Sequence, residues 1–258
     1  MLLTIDEKAL CLSFRPLFED PVFRRGLDNI ANDPMLLSLF LMGTSLGEGL
    51  GEQGVAKIAG EDVSALLHNL QRQRLEEHGH MDSTRIIAEE LFPEHFVDGR
   101  YLYAAAVVGP DYYLAVREAN RARLREIGKY SRFNLYLTTS FGYEIMVELF
   151  FPAVIEAVKR SRLPRPICER VEFVLTAILR QEETHLGFIE QHNALLKVDR
   201  SAVSRDAAET LEKLALLDDR DYLYTAELAV RKIIETYRGF ADAQAIRSRA
   251  MESSGARR

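Results

Sequence analysis

The chain has 258 residues, 47% of them hydrophobic, which supplies enough apolar material for a packed core and is too much for a disordered chain. Its formal net charge of −6 argues against a general attraction to nucleic acid. The longest apolar run, Met35 to Met42, is interrupted by Ser38 and stops at Gly43, well short of the ~20 residues that span a bilayer.

The opening residues, Met1-Leu2-Leu3-Thr4-Ile5-Asp6-Glu7, have no basic stretch ahead of the acids, so no secretory signal is expected. Cys11 and Cys168 are isolated, which points away from a disulfide framework and from a thiolate zinc site. A cytoplasmic setting, without nucleic acid or membrane as partner, is the expectation.

Apolar residues recur every three or four positions and no stretch alternates like a strand, so the chain reads as one all-α domain over 1–258. A short helix is expected over Pro16 to Ile30. Asp33-Pro34 then supplies an N-cap and a first-turn proline for a core helix running to about Ile58. Ala59-Gly60 breaks it, and Glu61-Asp62 open a second core helix ending near Phe92-Pro93. A 38-residue crossover, Glu94 to Ser131, contains a helix from Asp111 to about Ile127. The third core helix is expected from Phe133 to Lys159, with a kink at Pro152, which cannot donate to the Glu148 carbonyl. Leu163-Pro164-Arg165-Pro166 makes a rigid turn, and the fourth core helix runs from Ile167 to about Leu196. Two C-terminal helices, Ala202 to Leu217 and Asp221 to about Ser248, precede a frayed basic tail over 249–258.

The sequence contains two Glu-x-x-His motifs, Glu77-x-x-His80 in the second core helix and Glu182-x-x-His185 in the fourth. Residues i and i+3 share a helix face, so both side chains of each motif can reach one metal ion. In each helix the motif residues lie on the apolar stripe, with Thr84, Ile87 and Leu91 in one and Leu175, Ile178 and Ile189 in the other. Glu76 and Glu183 fall off those stripes. The first core helix carries Glu48 on its stripe, with Glu52 one turn beyond; the third carries Glu148, with Glu144 one turn earlier. Four inward carboxylates place a charge of −4 in an apolar interior, which two divalent cations cancel. Carboxylate and imidazole without thiolate suit iron or manganese. The alternative is that the glutamates pair with Arg72, Arg74 or Arg180 and the histidines are ordinary core residues. His68, His78, His95 and His192 are read as non-ligands. Gly43, Gly47, Gly49, Gly51 and Gly54 crowd the first core helix around its acid, either for close helix packing or to leave space for a substrate or dioxygen.

With these motifs, residues Pro34 to Leu196 resemble the ferritin-like di-iron carboxylate proteins, which place a glutamate on each of two helices and Glu-x-x-His on each of the other two. The resemblance implies a four-helix bundle with one long crossover and two iron ions, or manganese or a mixed pair. The implied ligands are Glu48, Glu77, His80, Glu148, Glu182 and His185, with Glu52 and Glu144 as alternates or supporting groups. Order and spacing resemble the oxygenase and desaturase branches more than storage ferritins. The implied activity is an oxidoreductase that uses dioxygen to oxidise a small or hydrophobic organic substrate; an electron-donor protein as partner and a dimer as the assembly are further expectations. Thr44, Phe141, Tyr143 and Phe151 are expected to wall the substrate pocket. A ferroxidase or iron-storage protein and a metal-free helical interaction protein are the alternatives.

Overall fold

The computed structural model describes residues 2–59, 70–91, 93, 110–185 and 187–242. The side chains of Glu52 and Glu183, the histidines His68 and His95, the acidic pair Glu61-Asp62 and the basic tail lie outside the described residues. Among the described residues the chain is all-helical, without a strand. The α-helices are α1 (Glu7–Phe14), α2 (Pro21–Ala31), α3 (Pro34–Ala59), α4 (Leu70–Leu91), α5 (Pro110–Glu126), α6 (Arg132–Lys159), α7 (Arg165–His185), α8 (Phe188–Leu196), α9 (Arg205–Leu214) and α10 (Asp219–Arg238). No helix among them is long and apolar enough to cross a membrane. Cys11 and Cys168 are free thiols.

Local chemistry sets the helix starts. Asp33 Oδ1 accepts the Met35 amide at 3.0 Å ahead of Pro34, Ser131 caps α6 through the Asn134 amide, and Asp218 and Asp221 form a capping box at α10. The expected helix over Pro16 to Ile30 is instead a 3₁₀ turn, Arg15–Glu19, followed by α2. The reason is Asp20-Pro21: Asp20 accepts the Phe23 amide at 2.8 Å and Pro21 takes the first helical turn.

Helices α3, α4, α7 and α6 close a ring, each packing against two others of the set. Register fixes their directions. Ser38 and Ser45 of α3 donate to the carbonyls of Ala88 and Met81, so α3 and α4 are antiparallel. Arg170 pairs with Glu90, and Gln181 meets His80, so α4 and α7 are antiparallel too. Lys159 reaches Glu172, and Glu144 lies near His185, which makes α6 antiparallel to α7 and parallel to α4. Parallel α4 and α6 require a connection as long as the bundle.

Helix α10 covers the outside of α6, and α2 packs on both. The approach is close at Gly142, where an added Cβ would lie 2.7 Å from Thr225 Cγ2 and 2.8 Å from its carbonyl oxygen. Beside it, buried Asn120 donates to Thr138 and Thr139 and accepts from Thr225, tying α5, α6 and α10 through satisfied polar groups. Helix α6 stays continuous through Pro152, which faces solvent.

The expected fourth core helix, Ile167 to Leu196, is divided. It stops at His185, and Gly187 adopts φ +118°, a left-handed conformation open to glycine, before α8 begins. Glu7 of α1 stabilises the break: its carboxylate accepts the amides of Gly187 at 2.6 Å and Ile189 at 2.9 Å. A side chain 180 residues away therefore supplies the N-cap that α8 lacks locally.

Candidate metal centre

The ring of helices encloses six buried ligand-type side chains at one level. Helix α3 supplies Glu48, α4 supplies Glu77 and His80, α6 supplies Glu144, and α7 supplies Glu182 and His185. Each is at most 8% exposed. They form two groups of four, Glu48, Glu77, His80 and Glu182, and Glu77, Glu144, Glu182 and His185; within each, the ligand atoms lie within 4.8 Å of one another. Glu77 and Glu182 belong to both groups. The same two carboxylates thus stand between two adjacent cation positions, each completed by one glutamate and one histidine of its own.

Both imidazoles turn Nδ1 inward. His80 Nδ1 lies 3.2 Å from Glu182 Oε1 and 3.7 Å from Glu48 Oε2. His185 Nδ1 lies 2.5 Å from Glu182 Oε2 and 3.5 Å from Glu144 Oε1. The outward nitrogens are held across the α4–α7 interface: His80 Nε2 is 2.6 Å from Gln181 Oε1, and His185 Nε2 is 2.9 Å from Glu76 Oε2. Fixing the outer nitrogen fixes ring orientation and leaves the inner one for a metal. The hydroxyl of Tyr143 donates to Glu48 Oε1 at 3.3 Å.

Glu144, and not Glu148, joins the cluster. Four residues on, the helix has turned about 40° past a full turn and advanced about 6 Å. Glu148 is half-buried on the side facing α1. Burial, and then the charge of Glu148, push the Cys11 thiol up to about 12. The pocket expectation divides in the same way. Thr44, Tyr143 and Phe151 line a cavity of about 30 Å³ beside the cluster, together with Gly43, Gly47 and Tyr113. Phe141 does not line it; its ring packs edge-on against Tyr222 at 5.1 Å and Phe188 at 6.3 Å, toward α10 and α8. Gly47 and Gly49 serve different purposes: an added Cβ at Gly49 would press on Met81 Sδ at 3.3 Å, whereas at Gly47 it would meet, among the described residues, only the Tyr143 hydroxyl, at 3.8 Å.

The electrostatics of the cluster favour positive charge. Burial, reinforced by the charge of Glu48, holds the Glu77 carboxyl well above the usual carboxylate range. Burial and the charge of Glu182 do the same for Glu144. Burial opposes charge on His80, but the carboxylates of Glu182 and Glu48 outweigh it and raise its pKa to about 10. His185 is raised to about 11, where Glu144 and Glu182 outweigh burial. Glu182 is itself held low: burial works against its charge, and the hydrogen bond to His185 together with the nearby His80 imidazole wins. Without a cation, protons carry the compensating charge. Even so, Glu48 Oε2, Glu77 Oε2, Glu144 Oε2, Glu182 Oε1 and His80 Nδ1 remain buried with no hydrogen-bond partner. Such groups are costly in a core and are the atoms a cation would take up. Donors of this kind, oxygen and imidazole nitrogen without sulfur, fit iron or manganese.

The remaining described histidines stand apart. His192 is buried with Nδ1 2.8 Å from the Tyr222 hydroxyl, and burial lowers its pKa to about 4. His78 is exposed, near Asp82. Glu76 and Gln181 were not visible as functional residues in the sequence. Each immediately precedes a motif glutamate, but each serves the histidine of the other helix, which depends on how α4 and α7 are aligned. No protein-family model matches the chain, and neither a curated protein nor a solved structure does.

Proposed function

We propose that the chain is a ferritin-like di-iron oxidoreductase that uses dioxygen to oxidise a small or hydrophobic organic substrate. The observation that carries this reading is the pair of four-residue ligand groups sharing Glu77 and Glu182 between parallel and antiparallel core helices. The six ligand side chains would hold two ions, and the four carboxylates match their combined charge. When bound, the iron pair would supply the electrons that reduce dioxygen, replenished by an electron-donor protein.

The surrounding side chains have separable tasks. Glu76 and Gln181 orient the imidazoles through their outer nitrogens. Tyr143 holds Glu48 in place from the cavity side. Phe40, Phe150 and Phe151 line the adjoining cavity, whose volume of about 30 Å³ suits a species as small as dioxygen. Organic oxidation is preferred over iron storage because the long connection between α4 and α6 and the helices α9 and α10 exceed what a storage bundle needs.

The test is anaerobic loading of the purified chain with ferrous iron followed by mixing with dioxygenated buffer. The expected result is binding of two ions per chain, then dioxygen consumption with a transient absorbance change. Iron that binds and never reacts with dioxygen would defeat the oxidoreductase reading. Gly47→Leu is expected to fill the cavity, because among the described residues only the Tyr143 hydroxyl stands near an added Cβ. It should slow dioxygen consumption at least several-fold while two ions still bind, as measured by stopped-flow absorbance and metal analysis.

A further inference from the structure

The two cation positions differ in what stands behind their histidines. His185 faces the carboxylate of Glu76 at 2.9 Å, and His80 faces the neutral amide oxygen of Gln181 at 2.6 Å. A carboxylate acceptor makes a stronger hydrogen bond than an amide and shifts more electron density onto the imidazole, so Nδ1 of His185 is the better donor to a metal. Glu76 also sits beside the Glu144 and His185 position as a fifth carboxylate, 13% exposed, where the four ligand carboxylates are at most 4% exposed. On the other side the Tyr143 hydroxyl donates to Glu48 Oε1 and draws charge away from that ligand. Stronger imidazole and an added carboxylate on one side, weaker imidazole and a drained carboxylate on the other, act in the same direction.

We infer that the two positions load in a fixed order, the Glu144 and His185 position first, with Glu76 and Gln181 as the positioning residues that set the order. This rests on the metal-centre reading above, and goes beyond it by making the two positions chemically unequal. A protein with such a gradient accepts one ion while its second position is still open, and so can hold two different metals in defined places.

Cobalt(II) is a suitable probe, because it takes the same nitrogen and oxygen ligands and is located by anomalous scattering. One equivalent is added to the metal-free full-length chain, and occupancy at each position is read from crystals, with a calorimetric titration in solution. Wild type should place cobalt at the Glu144 and His185 position with a preference of roughly ten-fold or more, the scale of effects from groups behind a ligand. Glu76→Gln should bring the occupancies toward equality by weakening the first position. Gln181→Glu should do so by strengthening the second, and it keeps the test available if the first variant fails to fold. The double exchange should move the ratio further toward the Glu48 and His80 position than either variant alone. Equal occupancy in wild type, a preference for the Glu48 position, or a ratio unmoved by both variants would overturn the inference and leave the metal centre standing. Cobalt at neither position would overturn both.

Discussion

Replacing Glu144 with alanine should reduce the metal content of the protein from two ions per chain to one, whereas Glu148→Ala should leave it at two. Glu144 is 2% exposed and belongs to one four-residue ligand group, so its loss leaves that position with two shared carboxylates and one histidine. The other group, Glu48, Glu77, His80 and Glu182, keeps every member. Glu148 lies one turn away toward Cys11 and belongs to neither group. Mass-spectrometric metal analysis after loading and desalting gives the stoichiometry, and circular dichroism checks that the helices remain. The two variants exchanging their behaviour would assign Glu148, and not Glu144, to the ligand group.

The second large effect is an inverted pH profile of stability. In the metal-free protein, Glu77 and Glu144 hold protons well above the usual carboxylate range, and His80 and His185 titrate near 10 and 11 instead of 6.5. The unfolded chain releases the carboxyl protons near 4.5 and the imidazole protons near 6.5. Between these values and the raised ones, the folded state binds more protons than the unfolded state. Stability therefore falls as pH rises, first through the carboxyl window and then between 6.5 and about 10 to 11 for the histidines. Two groups act in the opposite sense: Glu182, held low, only below its unfolded value of 4.5, and His192, which burial lowers to about 4, only between about 4 and 6.5, where its single contribution is smaller than those of His80, His185, Glu77 and Glu144 together.

The metal-free chain should accordingly melt higher at about pH 5 than at about pH 8, by on the order of 5–10 °C. Metal ions replace the same protons, so their affinity and the stability they add both rise with pH. Loading should raise the melting temperature most at the alkaline end and reverse the slope. Differential scanning calorimetry with and without chelator measures both curves. A metal-free profile that is flat or rising between those pH values would mean that the four carboxylates do not share one buried cluster. The same exchange should release the two imidazole protons, and up to two more from Glu77 and Glu144, for each pair of ions taken up. Calorimetric titration in buffers of different ionisation enthalpy counts them.

Much of this protein was determined locally, and therefore in its sequence. Apolar recurrence at helical spacing and capping signals such as Asp33-Pro34 and Ser131 act within a turn or two, so they mark helices without knowledge of the rest of the fold. The i to i+3 spacing fixes which glutamate and which histidine of each motif share a face, so Glu77 with His80 and Glu182 with His185 could be read in advance. What the tertiary structure decided are matters of rotation and register between helices. One turn separates Glu144 from Glu148 on α6, and only the packing of α6 against α7 selects Glu144. Phe141 lies on an apolar face in either arrangement, and the contact with Tyr222 turns it away from the cavity. The break after His185 depends on Glu7, brought from the other end of the described chain. Glu76 and Gln181 acquire their roles only when antiparallel α4 and α7 place each beside the other helix's histidine. Periodicity along a helix is covalent and local; the alignment of one helix with another depends on the whole core, and no short stretch of residues encodes it.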